Sequence, residues 1–404
     1  MPDDTQHTKN QQRQADLVQH GQAIGNEFQE CEIKGDETLR LLLEPITHYL
    51  NEDGVTDIFV NKPYEIIVKN EKGRKKIKAP SLSLAHLEQI AVAVGNYSNQ
   101  GINKSAPIIS ANMPNDERIQ VVLPPVVQKG LVNLSIRKPM MLTKTMAEYE
   151  VDALFSETVW LRPREMSFDA HGLNEADFSE SCLAQAMSKL SKADLRLMDL
   201  LEDKHFGQFF IEAVKADKNI CIVGETGSGK TTFSKMLCQS IPQHESIITI
   251  EDARELFLPN HEYVVHLTYS KGGQGQANVT PSDLIQSTMR MNPDRVLLAE
   301  LRGAESYDYL KLLLSGHGGS ITSWHAGSPE EAIGRFIFMA KEHPESTAYQ
   351  DVAIKRLLLS AVDVIAHLEA RSIFNENEVQ IGTEYKMTAI YFNPFKKLEV
   401  ALET

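Results

Sequence analysis

The sequence predicts an α/β chain in two parts: a C-terminal domain on a mostly parallel sheet, and a smaller α+β N-terminal domain tied to it by a long linker. Three observations carry this. The 404 residues exceed what one hydrophobic core usually holds, and 42 % of them are apolar, enough for two cores. From about residue 183 onward, β-branched runs alternate with helix-like segments, the pattern of a parallel sheet covered on both faces. Between the two patterned regions, residues 143–182 are acidic and polar, are interrupted by Pro163 and Gly172, and hold no period.

In chain order, residues 1–36 are rich in Gln, Asn, Asp and Glu and read as a mobile polar tail. Residues 37–50 space their apolar side chains as a helix does, and short β-like runs follow at 55–60, 64–68 and 74–77. Turn signals at Asn61-Lys62-Pro63 and Asn70-Glu71-Lys72-Gly73 separate them. Residues 83–97 read as a helix capped by Ser83, and 108–111, 118–123 and 131–137 as strands. The N-terminal α+β domain is therefore set at 37–142 and the linker at 143–182, with Phe155 and Trp160 the side chains able to dock it. A helical segment then opens the C-terminal domain, 183–404, whose strands are read at 219–223, 247–250, 295–299 and 320–323, with a further core strand in 360–365.

A net charge of −14 argues against a protein that coats nucleic acid. Cys31, Cys182, Cys221 and Cys238 form no C-x-x-C pair, which argues against a zinc knuckle or a disulfide framework and fits a reducing cytoplasm. No run approaches 18 apolar residues, and the first residues have neither the basic start nor the apolar core of a signal peptide. The basic run Lys72, Arg74, Lys75, Lys76 and Lys78 reads first as a solvated edge strand and second as a contact for anionic lipid.

The most specific local signal is Gly224-Glu225-Thr226-Gly227-Ser228-Gly229-Lys230-Thr231, which has the spacing G-x-x-x-x-G-K-[ST]. It follows the β-branched run 219–223 and opens a helical segment at Thr232, the strand–loop–helix context that a phosphate-binding loop needs. Backbone N–H groups of such a loop cradle phosphate oxygens, Lys230 reaches the β and γ phosphates, and the Thr231 hydroxyl is the expected Mg²⁺ ligand. The expected ligands are therefore ATP and Mg²⁺, with residues 224–232 as the phosphate-binding set.

Three further elements narrow the chemistry. Glu251 and Asp252 follow a β-branched run, so they stand at a strand end, which in a parallel sheet faces the ligand crevice. Glu251 is placed to orient the attacking water, and Asp252 to hold it or the metal shell. The run 295–299 ends in Glu300, a carboxylate at a strand tip suited to Mg²⁺ through water. Arg302 has two readings, a pair with a nearby acid or a phosphate contact across a subunit boundary. His317 and His325 flank a short strand; His317 reads as a loop support and His325 as a donor to the γ phosphate. No third ligand stands at a spacing useful for zinc.

Together and in this order, these elements resemble the secretion ATPase superfamily, and within it the VirB-eleven-like traffic ATPases of type IV secretion. The stretches 291–308 and 315–328 carry the resemblance, with Asp116-Glu117-Arg118-Ile119-Gln120 and Leu134-Ser135-Ile136-Arg137-Lys138-Pro139 in the N-terminal half. The resemblance implies a RecA-like P-loop NTPase domain and a hexameric ATPase at the cytoplasmic face of the inner membrane, powering a type IV secretion or conjugation apparatus. It implies that Arg118 and Arg137 reach the phosphates, and that the partners are secretion-channel proteins and a second ATPase or coupling protein, with peripheral membrane contact and no direct nucleic-acid binding. A type IV pilus or type II secretion motor is the alternative it leaves open. Ala299, Asn292 and Trp324 depart from the common pattern, which has Gly, Arg and an aliphatic residue there. There is also no four-cysteine metal element of the kind found in many type II secretion ATPases.

Overall fold

The computed structural model describes residues 36–70, 73–138, 144–161, 188–252, 254–269, 279–375 and 380–395. The chain divides into two compact units, residues 1–108 with 121–134, and residues 109–120 with 135–404. Residues 1–35, most of the expected tail, and 162–182 of the expected linker lie outside the described residues, as do Cys31 and Cys182.

Helix α1 (Glu37–Leu50) buries Leu39, Leu43, Ile46 and Leu50, spaced four, three and four apart, so one stripe faces the core. Strands β1 (Val55–Val60), β2 (Glu65–Asn70) and β3 (Gly73–Lys78) form an antiparallel meander. Helix α2 (Leu84–Tyr97) starts at Ser83, whose hydroxyl accepts from His86 N–H at 3.2 Å, and His86 Nε2 bonds to the carbonyl of Leu42 on α1 at 2.8 Å. Strands β4 (Ile108–Asn112), β5 (Arg118–Val122) and β6 (Asn133–Arg137) complete a six-stranded sheet in the order β3-β2-β1-β6-β5-β4. Arg74, Lys75, Lys76 and Lys78 of the basic run lie on β3, at the sheet's edge and largely exposed, and Lys72 lies outside the described residues; Lys76 pairs with Glu65 at 3.5 Å and Arg74 lies over the Phe59 ring. That is the solvated edge strand expected of it.

The second unit is built around an eight-stranded sheet. Residues 144–161, read from sequence as part of a linker, supply α3 (Met146–Val151), opened by a capping box on Thr145, and β7 (Val159–Leu161). After them come α4 (Lys192–Glu202), α5 (Phe206–Lys215), β8 (Ile220–Gly224), α6 (Lys230–Cys238), β9 (Ile247–Glu251) and β10 (Val264–Thr268). Then follow α7 (Pro281–Thr288), β11 (Arg295–Leu298), α8 (Glu305–Leu314), β12 (Ile321–Trp324), α9 (Pro329–Ala340), α10 (Asp351–Ala361), β13 (Val364–Phe374) and β14 (Gln380–Phe392). The order is β10-β9-β11-β12-β8-β13-β14-β7, parallel throughout except for the β13–β14 hairpin.

Every residue of β8, β9, β11 and β12 is buried, as expected of strands covered on both faces. Along β8 the side chains alternate between two cores. Ile220 and Ile222 join Phe209, Phe210, Phe233 and Leu297 on one face; Cys221 and Val223 join Tyr309, Trp324 and Phe336 on the other. Phe155 packs against Phe206, Phe210 and Phe233, and Trp160 is buried with its indole N–H donating to the Phe392 carbonyl at 3.2 Å. Both of the side chains expected to dock the 143–182 segment do so. Among the described residues no helix is long and apolar enough to cross a membrane.

Candidate nucleotide-binding site

Parallel order brings the carboxyl ends of β9, β11, β12 and β8 to one edge of the sheet. Trp324 pairs with Val223, and Leu298 pairs with both Thr322 and Ile250, so the loops that follow these strands emerge side by side. This is the edge at which α/β sheets bind ligands.

From β8 the chain turns into the glycine-rich loop. Gly224 has φ +155, and a Cβ there would lie 2.1 Å from the Leu368 carbonyl oxygen, so only glycine fits between the loop and β13. Gly227 and Gly229 are left-handed at φ +83 and +88, and Gly229 opens α6 with no side-chain cap on the helix N terminus. An uncapped helix start with its positive dipole end toward the loop is a ready anion site. The Ser228 hydroxyl is buried and has no partner among the described residues, which suits a loop shaped to receive oxygen atoms. Glu225 and Thr226, with His325, Ala326 and Gly327, line an open depression of ≈ 410 Å³.

Lys230 sits over this loop. Its ammonium donates to the Gly224 and Glu225 carbonyls at 2.8 Å each and lies 3.3 Å from His325 Nδ1. Burial lowers the Lys230 pKa, against the pull of the Glu300 carboxylate. On the other side of the imidazole, His325 Nε2 is 2.8 Å from Glu300 Oε1. An ammonium can only donate, so Nδ1 accepts from Lys230 and Nε2 carries the proton given to Glu300. Burial, then the Lys230 charge, lowers the His325 pKa, and burial raises the Glu300 carboxyl to about 7.

Arg302 continues the chain of contacts. It pairs with Glu300 Oε2 through Nε at 2.6 Å and donates to Asp252 Oδ2 at 2.8 Å. Arg118, which lies with Asp252 in the second unit, donates to Asp252 Oδ1 at 2.8 Å and to Glu255 at 3.4 Å. Arg137 closes β6 with an exposed side chain. Lys230, His325, Glu300, Arg302, Asp252 and Arg118 thus form one connected series, and Thr231 stands on the first turn of α6 beside it. A hydroxyl and a carboxylate are the hard oxygen donors that Mg²⁺ takes, so the residues present fit that ion.

Glu251 stands apart from this series. It is 1 % exposed; its Oε1 accepts from the Glu255 and Leu256 N–H groups at 3.0 and 2.9 Å, and its Oε2 from Thr249 at 3.2 Å. Burial pushes its carboxyl up to about 7, and burial likewise pushes the His266 imidazole, 3.9 Å away, down to about 4. Here Glu251 holds the loop that carries Asp252 and Glu255. His317 precedes β12, at the opposite strand end from His325, and meets Ser315 at 3.0 Å.

Comparison with known proteins gives the family. The family described as "Type II/IV secretion system protein" matches residues 182–387. The type IV secretion system protein VirB11 of Bartonella quintana is 37 % identical over 368 residues, 90 % of this chain and 96 % of that protein. The Brucella suis VirB11 is 34 % identical over 376 residues, 93 % of this chain and 95 % of that one. The chain belongs to the VirB11 family of type IV secretion ATPases. Among solved structures, the Legionella pneumophila ATPase DotB matches with a TM-score of 0.54 at 13 % identity, covering 91 % of this chain and 84 % of that one. That likeness shows the fold, the RecA-like fold of the secretion ATPases. Membership of the family makes the chain an ATP-hydrolysing enzyme, and so a nucleotide-binding one.

Proposed function

We propose that this chain is a ring-forming motor, six subunits at the cytoplasmic face of the inner membrane, that hydrolyses ATP to drive substrate transfer or pilus assembly by a type IV secretion system. The observation that carries the site assignment is the Lys230–His325–Glu300 series, in which the first residue of α6 and the segments just past β12 and β11 present a cation, an imidazole and a carboxylate to one loop. Membership of the VirB11 family supports the type IV secretion setting.

In this reading the backbone N–H groups of residues 224–232 hold the phosphates, and Lys230 leaves the Gly224 and Glu225 carbonyls for the β and γ oxygens. His325, whose Nε2 faces Glu300, is set to donate to charge that builds on the γ phosphate. Thr231 and, through water, Glu300 would hold Mg²⁺, which when bound would neutralise phosphate charge. Glu251 fixes the loop from which Asp252 and Glu255 face the attacking side, and so positions the water through them. Arg118, here on Asp252, and Arg137 are the guanidinium groups that exchange carboxylate for phosphate when ATP is present, which makes the ion-pair pattern report nucleotide state. Secretion-channel proteins and a second ATPase or coupling protein are the partners this role calls for.

The direct test is Lys230→Ala. Hydrolysis is expected to vanish while the Tm without nucleotide holds, and wild-type turnover in that variant would overturn the site. The setting has its own test, capture of the full chain from solubilised membranes of its host. Channel components and a coupling ATPase are expected among the captured proteins; a pilus platform protein and pilin without them would replace the secretion assignment with a pilus motor.

A further inference from the structure

We infer that Tyr385 is the platform on which the base of the nucleotide stacks. The inference rests on the nucleotide reading above and adds to it the nucleoside end of the site. The loop strand β8 has two neighbours, β12 and β13. The γ-phosphate groups, His325 and Glu300, come from β12 and from β11 beyond it, so a triphosphate lying across the loop points its nucleoside toward β13 and β14.

On that side the β13–β14 hairpin runs past the end of β8. Gly224 pairs with Leu368, and the hairpin continues outward through Ala370, which pairs with Tyr385. Side chains alternate along a strand, so Leu368, Met387, Ala370 and Tyr385 share one face. Leu368 and Met387 are buried in the core that contains Phe233 of α6. One step farther out, the Tyr385 ring is 40 % exposed and reaches the N terminus of α6. A Cβ built on Gly229 would touch it at 3.4 Å. Its cross-strand neighbour on that face is an exposed alanine, too small to cover the ring. A large aromatic is thus held open beside the first turn of the phosphate-binding helix, on the side away from the γ-phosphate groups. Stacking on such a ring is tolerant of base identity because every base presents a π face.

The test is calorimetric binding of Mg²⁺-ATP and of Mg²⁺-tripolyphosphate to the full chain. Tyr385→Ala is expected to weaken ATP binding by about fivefold or more, and to leave tripolyphosphate within about twofold. Tyr385→Phe keeps ATP affinity; Tyr385→Leu, which keeps bulk on the strand but no π face, behaves as the alanine variant does. Unchanged ATP affinity in Tyr385→Ala and Tyr385→Leu overturns the inference. So does a parallel loss for tripolyphosphate, which would make the ring a support for the loop only. If the wild-type chain binds tripolyphosphate but not ATP, the base platform fails alone; if it binds neither, the nucleotide reading fails and takes this one with it.

Discussion

Strand β11 has an arginine at each end, and the two are held in opposite ways. Arg295, at the amino end, is 1 % exposed. It pairs with both oxygens of Glu245, and donates to Asp217 at 2.6 Å and to the Val214 and Gly319 carbonyls at 2.8 and 3.4 Å. Gly319, at φ +73, leaves it room: a Cβ there would lie 2.7 Å from Nη1. Beside it, Asn219 ties β8 to α10 and β12 through the Ala361 carbonyl and the Ser320 N–H. Arg302, past the carboxyl end, is about a third exposed and spans Glu300 and Asp252. The difference shows how one sheet separates fastening from function. A guanidinium whose donors are all used in a dry site locks strands together. Arg302 instead bridges two carboxylates at the mouth of the glycine-rich loop with its own guanidinium about a third exposed, so its pairs are partly screened by solvent.

The largest effect is expected at the fastened end. Arg295→Ala leaves Glu245 and two buried carbonyls without their partner, and breaking a buried pair costs about 3–5 kcal/mol. For a unit of this size that is a fall of about 6–20 °C in Tm, readable by scanning calorimetry. The next is at the working end. His325→Ala removes a donor aimed at developing charge, and kcat is expected to drop about 100-fold with little change in Tm. Comparable losses of Tm in both variants would erase the distinction between the two ends.

A third effect is a slope with pH. Burial raises the Glu251 carboxyl from the ordinary 4.5 to about 7. Between those values the folded chain keeps a proton that the unfolded chain has lost, so this group's contribution is full below about 4.5 and is lost as pH rises through 7. Glu251→Gln retains an acceptor for the Glu255 and Leu256 N–H groups and cannot ionise. Its Tm relative to wild type is expected to be higher at pH 8 than at pH 5 by a few degrees; an equal difference at both would show that Glu251 titrates normally.

The working end was far more legible in the sequence than the fastened end. Glycine spacing, a β-branched run and a following helix are local signals, and they placed Gly224 to Thr232 directly. Glu300 and His325 were legible for the same reason, since a strand tip can be read without knowing its neighbours. Arg295 was not: its partners stand 50, 78 and 81 residues away, and nothing local announces that Asp217, Glu245 and Val214 converge. The first half of the expected linker was opaque likewise. Trp160 finds its acceptor 232 residues on, at Phe392, and the three residues of β7 become a strand only because β14 offers an edge. Glu251 shows the limit at a strand end: its position was legible, but not that the backbone at 255 and 256 folds back to occupy it.

The smallest effect is the one that most sharply tests the contrast within β11. Arg302→Ala removes a contact whose guanidinium is about a third exposed, and partly solvated pairs contribute about 0–1 kcal/mol, so Tm is expected to fall by less than about 4 °C. Salt separates the two arginines further. Charges open to solvent are screened within about 3 Å at 1 M ionic strength, whereas buried pairs are screened far less. The small loss in Arg302→Ala should therefore vanish in 1 M NaCl, and the large loss in Arg295→Ala should persist there. If the Arg302→Ala deficit is instead unchanged by salt, its contacts with Glu300 and Asp252 are structural, and of its two sequence readings the pair with a nearby acid stands and the phosphate contact falls.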